Sequence, residues 1–358
     1  MTEQNIQFIK DLLSAEKLDA LIIFDLPTMR YLCRFTGTDG VLLVAADTTI
    51  FLTDSRYIEQ AQKQVTASQI YCYSNKLQAV TEQLVKMGSQ RVGFNAQSVS
   101  VAIYDELVGL AADNLQWCPL NSQLQPLRGV KTEAELVALK AAADLNRQAF
   151  SEVLPQIRSG ISEHEIALEL EFSLKRLGGE VNAFDFIVAS GVRGALPHGV
   201  ASDKKLEEGE LVTIDFGTRV AGYHSDETVT LAIGQVDRKL RQIFDIVLEA
   251  HDSALAFIRP GMAICELDAV ARDFISAAGY GEYFGHGLGH GVGLEIHEYP
   301  AITSRSDQIL REGMVFTVEP GIYIPDIGGV RIEDTVVVTA DGFELLTSIP
   351  KQFKQLDG

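Results

Sequence analysis

The feature that most limits how this chain can fold is a repetition beyond residue 130. QIRSGISEHEI (156–166) aligns with FIRPGMAICEL (257–267) at an offset of 101, with Ile, Arg, Gly and Glu coinciding, and Gly178 falls on Gly279 at the same offset. In each copy a helical pattern runs into Arg-x-Gly, a stop signal because glycine takes the left-handed conformation without steric cost, and a second helical pattern follows. EGELVTIDFG (208–217) then aligns with EGMVFTVEPG (312–321) at 104, and GYHSDETV (222–229) with GVRIEDTV (329–336) at 107. Offsets that drift in this way are those of varying loops between kept elements. The pattern predicts two copies of a helix–helix–strand–strand unit, related by duplication about a pseudo-twofold axis.

The alignment superposes chemistry as well as pattern. Asp215 (TIDFG) falls on Glu319 (TVEPG) and Asp226 (HSDET) on Glu333 (RIEDT), all four predicted inside strands. Each half also carries a histidine upstream, His198 in LPHGV and His297 in EIHEY. If the halves pack about a twofold axis, the four carboxylates converge at the seam. Carboxylates crowded in one buried place repel and hold their protons, a cost that a metal cation reverses. One divalent ion would leave excess negative charge, so two ions bridged by shared carboxylates balance the site better. An oxygen-dominated set with one imidazole suits manganese or a similar ion more than a thiolate zinc site. Strand alternation gives Asp215 a same-face neighbour in Thr213 and gives Glu333 one in Arg331, either able to support its ligand. Paired ions generate hydroxide at neutral pH and polarise carbonyls, so hydrolysis is the expected reaction.

Residues 286–298, HGLGHGVGLEIHE, hold three of the seven histidines, with glycine at every second position from Gly285 to Gly293. Five glycines would destabilise a helix by up to about 1 kcal/mol each, so a strand is predicted. His286, Leu288, His290 and Val292 would then share one face, the bare opposite face admitting another backbone or a ligand. A glycine-rich turn with incidental histidines is the alternative reading of this stretch.

The first part of the chain reads differently. Up to about residue 125, the apolar runs LDALIIF, GVLLVAA and TTIFLTD alternate with helical stretches at 4–16, 57–65 and 76–87, the pattern of a small α/β domain. It contains none of the histidines, so no chemistry is assigned to it. NSQLQPLRGVK (121–131) reads as a linker, after which Thr132 and Glu135 form a capping box opening a long helix. A net charge of −19 argues against nucleic acid or an anionic membrane as partner, since both need clustered Lys and Arg. No apolar run reaches the 18 or so residues of a membrane span. The N-terminus has no apolar signal core, and Cys33, Cys72, Cys118 and Cys265 are scattered, which together suit reduced thiols in a cytoplasmic protein.

Taken in order, an Asp in a TIDFG-like strand, an Asp in SD-x-T, a His in HGxGHxxGxxxHE, a Glu in VEPG and a Glu in RxED resemble the pattern of the pita-bread metallopeptidases, peptidase family M24. Within that family the chain looks like the Xaa-Pro branch, prolidase and aminopeptidase P. MRYLCRFTG (29–37) and FLTDSRYIEQA (51–61) resemble the N-terminal domain of creatinase and prolidase relatives, which methionine aminopeptidases generally lack. Creatinase shares the fold without the metal ligands. The resemblance implies an α/β (α+β) fold class, with a creatinase-like α/β domain over 1–125 and a pita-bread catalytic domain over 126–358.

Carried over residue by residue, the resemblance implies that Asp226 and Glu333 bridge two divalent ions, Asp215 completes one site, and His290 with Glu319 completes the other. Manganese is the expected metal, with cobalt, zinc or iron as alternatives. Glu319 also moves the proton of the attacking water, His198 and His297 stabilise the oxyanion, and His286 lies at the proline end of the substrate pocket. Arg331 and Thr228, the threonine of SD-x-T, support the ligands. The implied substrates are small peptides with proline second, cleaved as dipeptides by a prolidase or as longer peptides by an aminopeptidase P, and the implied assembly is a homodimer. A relative that binds peptides without cleaving them would have lost ligands, and here the set is complete. One departure is Val229, where relatives commonly carry arginine; it is expected to affect loop support and substrate length rather than metal binding. No role is assigned to His164, expected solvated, to His224, expected either exposed on a strand or supporting Asp226, or to His251, expected on a helix surface. Trp117 and Tyr71 are expected in the core.

Overall fold

The computed structural model describes residues 2–111 and 115–357. Its contacts divide into two compact units, Met1–Arg128 and Gly129–Gly358.

The first unit is built on a six-stranded mixed sheet in the order Gln69–Cys72, Thr49–Thr53, Val41–Ala45, Ala20–Ile23, Arg91–Asn95, Gln116–Leu120. Every residue of Ala20–Ile23 is buried, as a central strand covered on both faces requires. Leu21 and Ile23 pack on Ile9, Leu12 and Met29 of one helical layer, while Ala20 and Ile22 pack on Leu77, Val80 and Leu84 of the other. Trp117 is buried as expected. Tyr71 is not: it lies on the edge strand, 38% exposed, with its hydroxyl on Gln69. An edge strand has one open side, so an aromatic there need not enter the core.

In the second unit the duplication is visible in backbone bonding. Helices Glu133–Val153 and Glu163–Arg176 precede strands Ile187–Ser190, Leu211–Phe216 and Glu227–Ile233; helices Arg238–Phe257 and Ile264–Ala277 precede strands Gly289–Gly291, Val315–Val318 and Asp334–Val338. Three strands follow the helices in each half where the sequence pattern predicted two, and further short strands lie beside them. Gly160 N donates to Leu206 O and Gly261 N to Leu310 O; Leu206 N and Leu310 N return bonds to Ile161 O and Met262 O. Both glycines have φ of 87°. They do not cap the preceding helices, which end earlier, at Val153 and Phe257; they turn the chain into the next one. The capping box of Thr132 and Glu135 is present, and Ser162 with Glu165 forms a second. Each half has its own apolar core, around Ile214, Val229 and Leu231 in one and Phe244, Phe316 and Val336 in the other.

Candidate metal centre

A cavity of about 700 Å³ in the second unit is lined by Asp215, Asp226, His290, Glu319 and Glu333, together with His198, His286, His297, Tyr323 and Arg331. Asp215 lies inside its strand. The other three acids sit where strands stop: Asp226 just before Glu227–Ile233, Glu319 just after Val315–Val318, and Glu333 between Gly328–Arg331 and Asp334–Val338. The sequence placed all four within strands. Glu319 N still donates to Leu288 O at 2.8 Å and Glu333 N to Thr228 O at 3.3 Å, and Pro320, with no N–H, cannot continue the ladder beyond Glu319.

The seam between halves is stitched by short polar bonds. Thr228 Oγ1 donates to Glu333 Oε2 at 2.6 Å, Thr335 Oγ1 to Asp226 O at 2.8 Å, and Thr230 Oγ1 to Arg331 O at 2.8 Å. Arg331 Nη2 donates to Asp215 Oδ2 at 2.6 Å. Strand alternation assigned Glu333 the support of Arg331 and Asp215 that of Thr213. Instead Arg331 pairs with Asp215 of the other half, Thr228 serves Glu333, and Thr213 bonds Thr230. Strand alternation does not carry from Arg331 to Glu333 because the strand ends between them.

Ligand atoms of Asp226, His290 and Glu333 lie within 4.8 Å of one another, a possible metal-binding cluster. Burial, then the charges of Glu333, Asp215 and Glu319, push the Asp226 carboxyl well above its ordinary range. Burial, then Glu319 and Asp215, do the same to Glu333. Glu319 is pushed up to about 7 by burial and Asp215, against Arg331 and the Thr317 hydroxyl. These are acids held together at a cost that a cation would remove.

His290 points to the same conclusion. Burial, then the neighbouring His297, lowers it to about 4, so it is neutral at pH 7. Its Nδ1 faces Gly291 O at 3.2 Å and must carry the proton. Nε2 then presents a lone pair to Asp226 Oδ2 at 3.5 Å and Glu319 Oε1 at 3.4 Å. A lone pair against a carboxylate oxygen is repulsive unless a proton or a cation stands between them, and a cation would serve all the crowded acids at once. Asp215 Oδ1, buried without a hydrogen-bond partner among the described residues, adds a further open donor. The residues therefore fit a divalent ion.

The glycine-rich stretch forms a strand over three residues, Gly289–Gly291, with a register shift after His290. The predicted four-residue face does not form. His286 and His290 line the cavity, whereas Leu288 and Val292 are buried in apolar clusters: the regular strand covers Gly289–Gly291 alone, so a period of two does not extend over 286–292. Nor do most of the glycines make room for a ligand. A Cβ at Gly289 would lie 1.9 Å from Thr317 O and one at Gly291 2.4 Å from Tyr299 O, while Gly285 has open space. Backbone packing explains the bare positions at 289 and 291.

His198 and His297 are exposed at the cavity wall, and the His297 ring meets that of His290 edge-on at 4.2 Å. His286 faces Gly287 O through Nδ1 at 2.8 Å, so its Nε2 accepts from the Tyr323 hydroxyl at 2.9 Å, which in turn accepts from Arg331 Nη1 at 3.1 Å. Tyr323 and Thr317 escaped the sequence reading; Thr317 Oγ1 donates to Glu319 at 3.2 Å and accepts from His290 N at 3.1 Å. The spacing of Thr317 two residues before Glu319 was the available signal. His164 is exposed as expected. His224 is buried rather than exposed and binds Gly293 O, not Asp226. His251 is buried, not on the surface, because it continues the stripe of Phe244, Val247 and Ala254 along its helix. Val229 packs in the first half's apolar core.

Known proteins share this sequence and architecture. Residues 137–340, more than half of the chain, match the family described as metallopeptidase family M24, and residues 6–130 match the creatinase/prolidase N-terminal domain. A solved structure of a Xaa-Pro dipeptidase from Bacillus anthracis superposes with a TM-score of 0.96 at 42% identity, covering 99% of each chain. A Xaa-Pro dipeptidase of Pyrococcus horikoshii is 35% identical across 98% of both chains. An X-Pro aminopeptidase structure from Thermotoga maritima has a TM-score of 0.87 at 36% identity, over 96% of this chain and 99% of that one. The chain belongs to metallopeptidase family M24 and carries, ahead of that domain, the creatinase/prolidase N-terminal domain.

Proposed function

We propose that the chain is a Xaa-Pro dipeptidase that uses two divalent ions, manganese first among them. Asp215, Asp226, His290, Glu319 and Glu333 would hold them. The observation that carries this reading is the His290 Nε2 lone pair aimed at two carboxylate oxygens. When bound, the ions would supply activated water and polarisation of the scissile carbonyl.

The remaining work falls to side chains. Glu319 holds and returns a proton at its carboxylate, as a general base must. His198 and His297 donate hydrogen bonds toward the oxyanion. His286, held by Tyr323, borders the end of the cavity that would take the proline ring. Proline needs a dedicated site because its tertiary amide has no N–H and a fixed φ. Four free cysteines support a reducing, cytoplasmic setting, and the family resemblance supports a homodimer and the division of the chain at the 121–131 linker.

The likeness to the Thermotoga maritima X-Pro aminopeptidase favours a second reading, cleavage of longer peptides with proline second. Initial rates on alanyl-proline and alanyl-prolyl-alanine with manganese present separate the two. The dipeptide is expected to be the better substrate; faster cleavage of the tripeptide would move the assignment to the aminopeptidase.

A further inference from the structure

His198 is exposed, so its position at the cavity wall depends on the backbone that carries it, the connection from Ser190 to Ser202. Two carbonyls beside it are held by arginines. Pro197 O accepts from Arg331 Nη1 at 3.0 Å, and Val200 O accepts from Arg193 Nη2 at 2.8 Å. Arg331 is paired with Asp215 in the centre itself. Arg193 is paired with Glu163, which opens the helix Glu163–Arg176 and is fully buried.

That carboxylate takes both ends of the connection. Glu163 Oε1 accepts from Ser190 N and Oγ, each at 2.8 Å; Oε2 accepts from Ser202 N at 3.2 Å, from Ser202 Oγ at 2.7 Å, and from Arg193 Nη1. A charge withdrawn this far from water is tolerable because its oxygens are saturated with donors. We propose that Glu163 is a positioning residue that, with Arg193, fixes the backbone presenting His198 to the substrate; this rests on the reading of His198 given above.

The other half contains the same device from different residues. Asp268, also fully buried, pairs with Arg272 at 2.7 Å and accepts from Leu288 N at 3.0 Å; Arg272 donates to Phe284 O at 3.0 Å and His286 O at 2.7 Å. At the repeat offset of 101, Glu163 falls on Ile264, not Asp268. A buried carboxylate–arginine pair that holds a histidine-bearing segment at non-equivalent positions was therefore not simply copied by the duplication. Arg272 holds the carbonyl of His286 itself and Arg193 a carbonyl two residues beyond His198, and both histidines line the cavity.

A double-mutant cycle on the manganese-loaded chain tests this, reading kcat for alanyl-proline and manganese content. His198→Ala is expected to lower kcat about 100-fold, and Glu163→Gln about 10- to 100-fold through misplacement, both with wild-type manganese content. The combination is expected to be no slower than His198→Ala, because residues acting through one another are not additive. If Glu163→Gln folds poorly, Ser202→Ala, which removes one donor, is expected to give a smaller loss with the same non-additivity. Wild-type kcat in the clamp variants beside an impaired His198→Ala would overturn the proposal, as would losses that multiply, the mark of a structural role. A wild-type rate for His198→Ala would remove the reading of His198 and this proposal with it.

Discussion

At Asp334 and His251 the chain places an ion pair behind the acids of the cavity. Asp226 and Glu333 turn toward the cavity, and their sequence neighbours Glu227 and Asp334 are tied together by Lys351, with Nζ 2.6 Å from Glu227 and 3.3 Å from Asp334. His251 Nε2 lies 3.3 Å from Asp334, and its Nδ1 3.1 Å from Asp252. Burial and Lys351 oppose protonation of His251, but Asp252 and Asp334 outweigh them and raise it above its ordinary value. A histidine raised on folding contributes stability that is complete below its unfolded pKa, about 6.5, and is lost as pH rises through the folded value. The melting-temperature advantage of the wild type over His251→Gln is therefore expected to be largest near pH 5.5 and to shrink toward about pH 8.5; an advantage that grew with pH would refute the pairing. The acids of the centre were legible because each sits in its own short motif and recurs at the repeat offset. The environments of His251 and His224 depend on partners far away in sequence, although the helical stripe that buries His251 was there to be read.

Among elements, Gly289–Gly291 carries the most structural constraint for its length. The two sides of His290 are occupied by the backbones of Thr317 and Tyr299, which lets the imidazole reach the acids without space for a neighbouring side chain. Gly289→Ala is expected to destabilise the chain by about 1–3 kcal/mol through overpacking and to weaken manganese binding by moving His290. Gly285→Ala, with nothing within 4 Å of its Cβ, is expected to change neither. Thermal melts and metal titrations of the pair check this, and equal behaviour of the two variants would contradict it. The helices and longer strands followed their periodicity closely. This stretch did not, because the register shift after His290 depends on its neighbouring strands rather than on the glycines themselves.

Across the whole molecule, the duplication explains why one site draws acids from both halves. Asp215 and Asp226 come from the first copy, Glu319 and Glu333 from the second, and the bonds of Thr228 and Thr335 cross between them. The convergence was legible because repeats of this length imply two packed copies. The crossing of support was not, since Arg331 reaches Asp215 through space rather than along a strand. No helix among the described residues is long and apolar enough to cross a membrane. These acids and His290 are proposed together to hold the ions for cleavage of Xaa-Pro bonds, a single role for both halves. Its most direct test strips the metal, restores manganese by equilibrium dialysis, and measures bound metal and alanyl-proline hydrolysis together in wild type and Asp226→Asn. The wild type is expected to bind two ions per chain with turnover that follows occupancy, and Asp226→Asn to bind fewer and turn over nothing. Hydrolysis by the stripped wild type, or full metal binding and turnover in Asp226→Asn, would contradict the account.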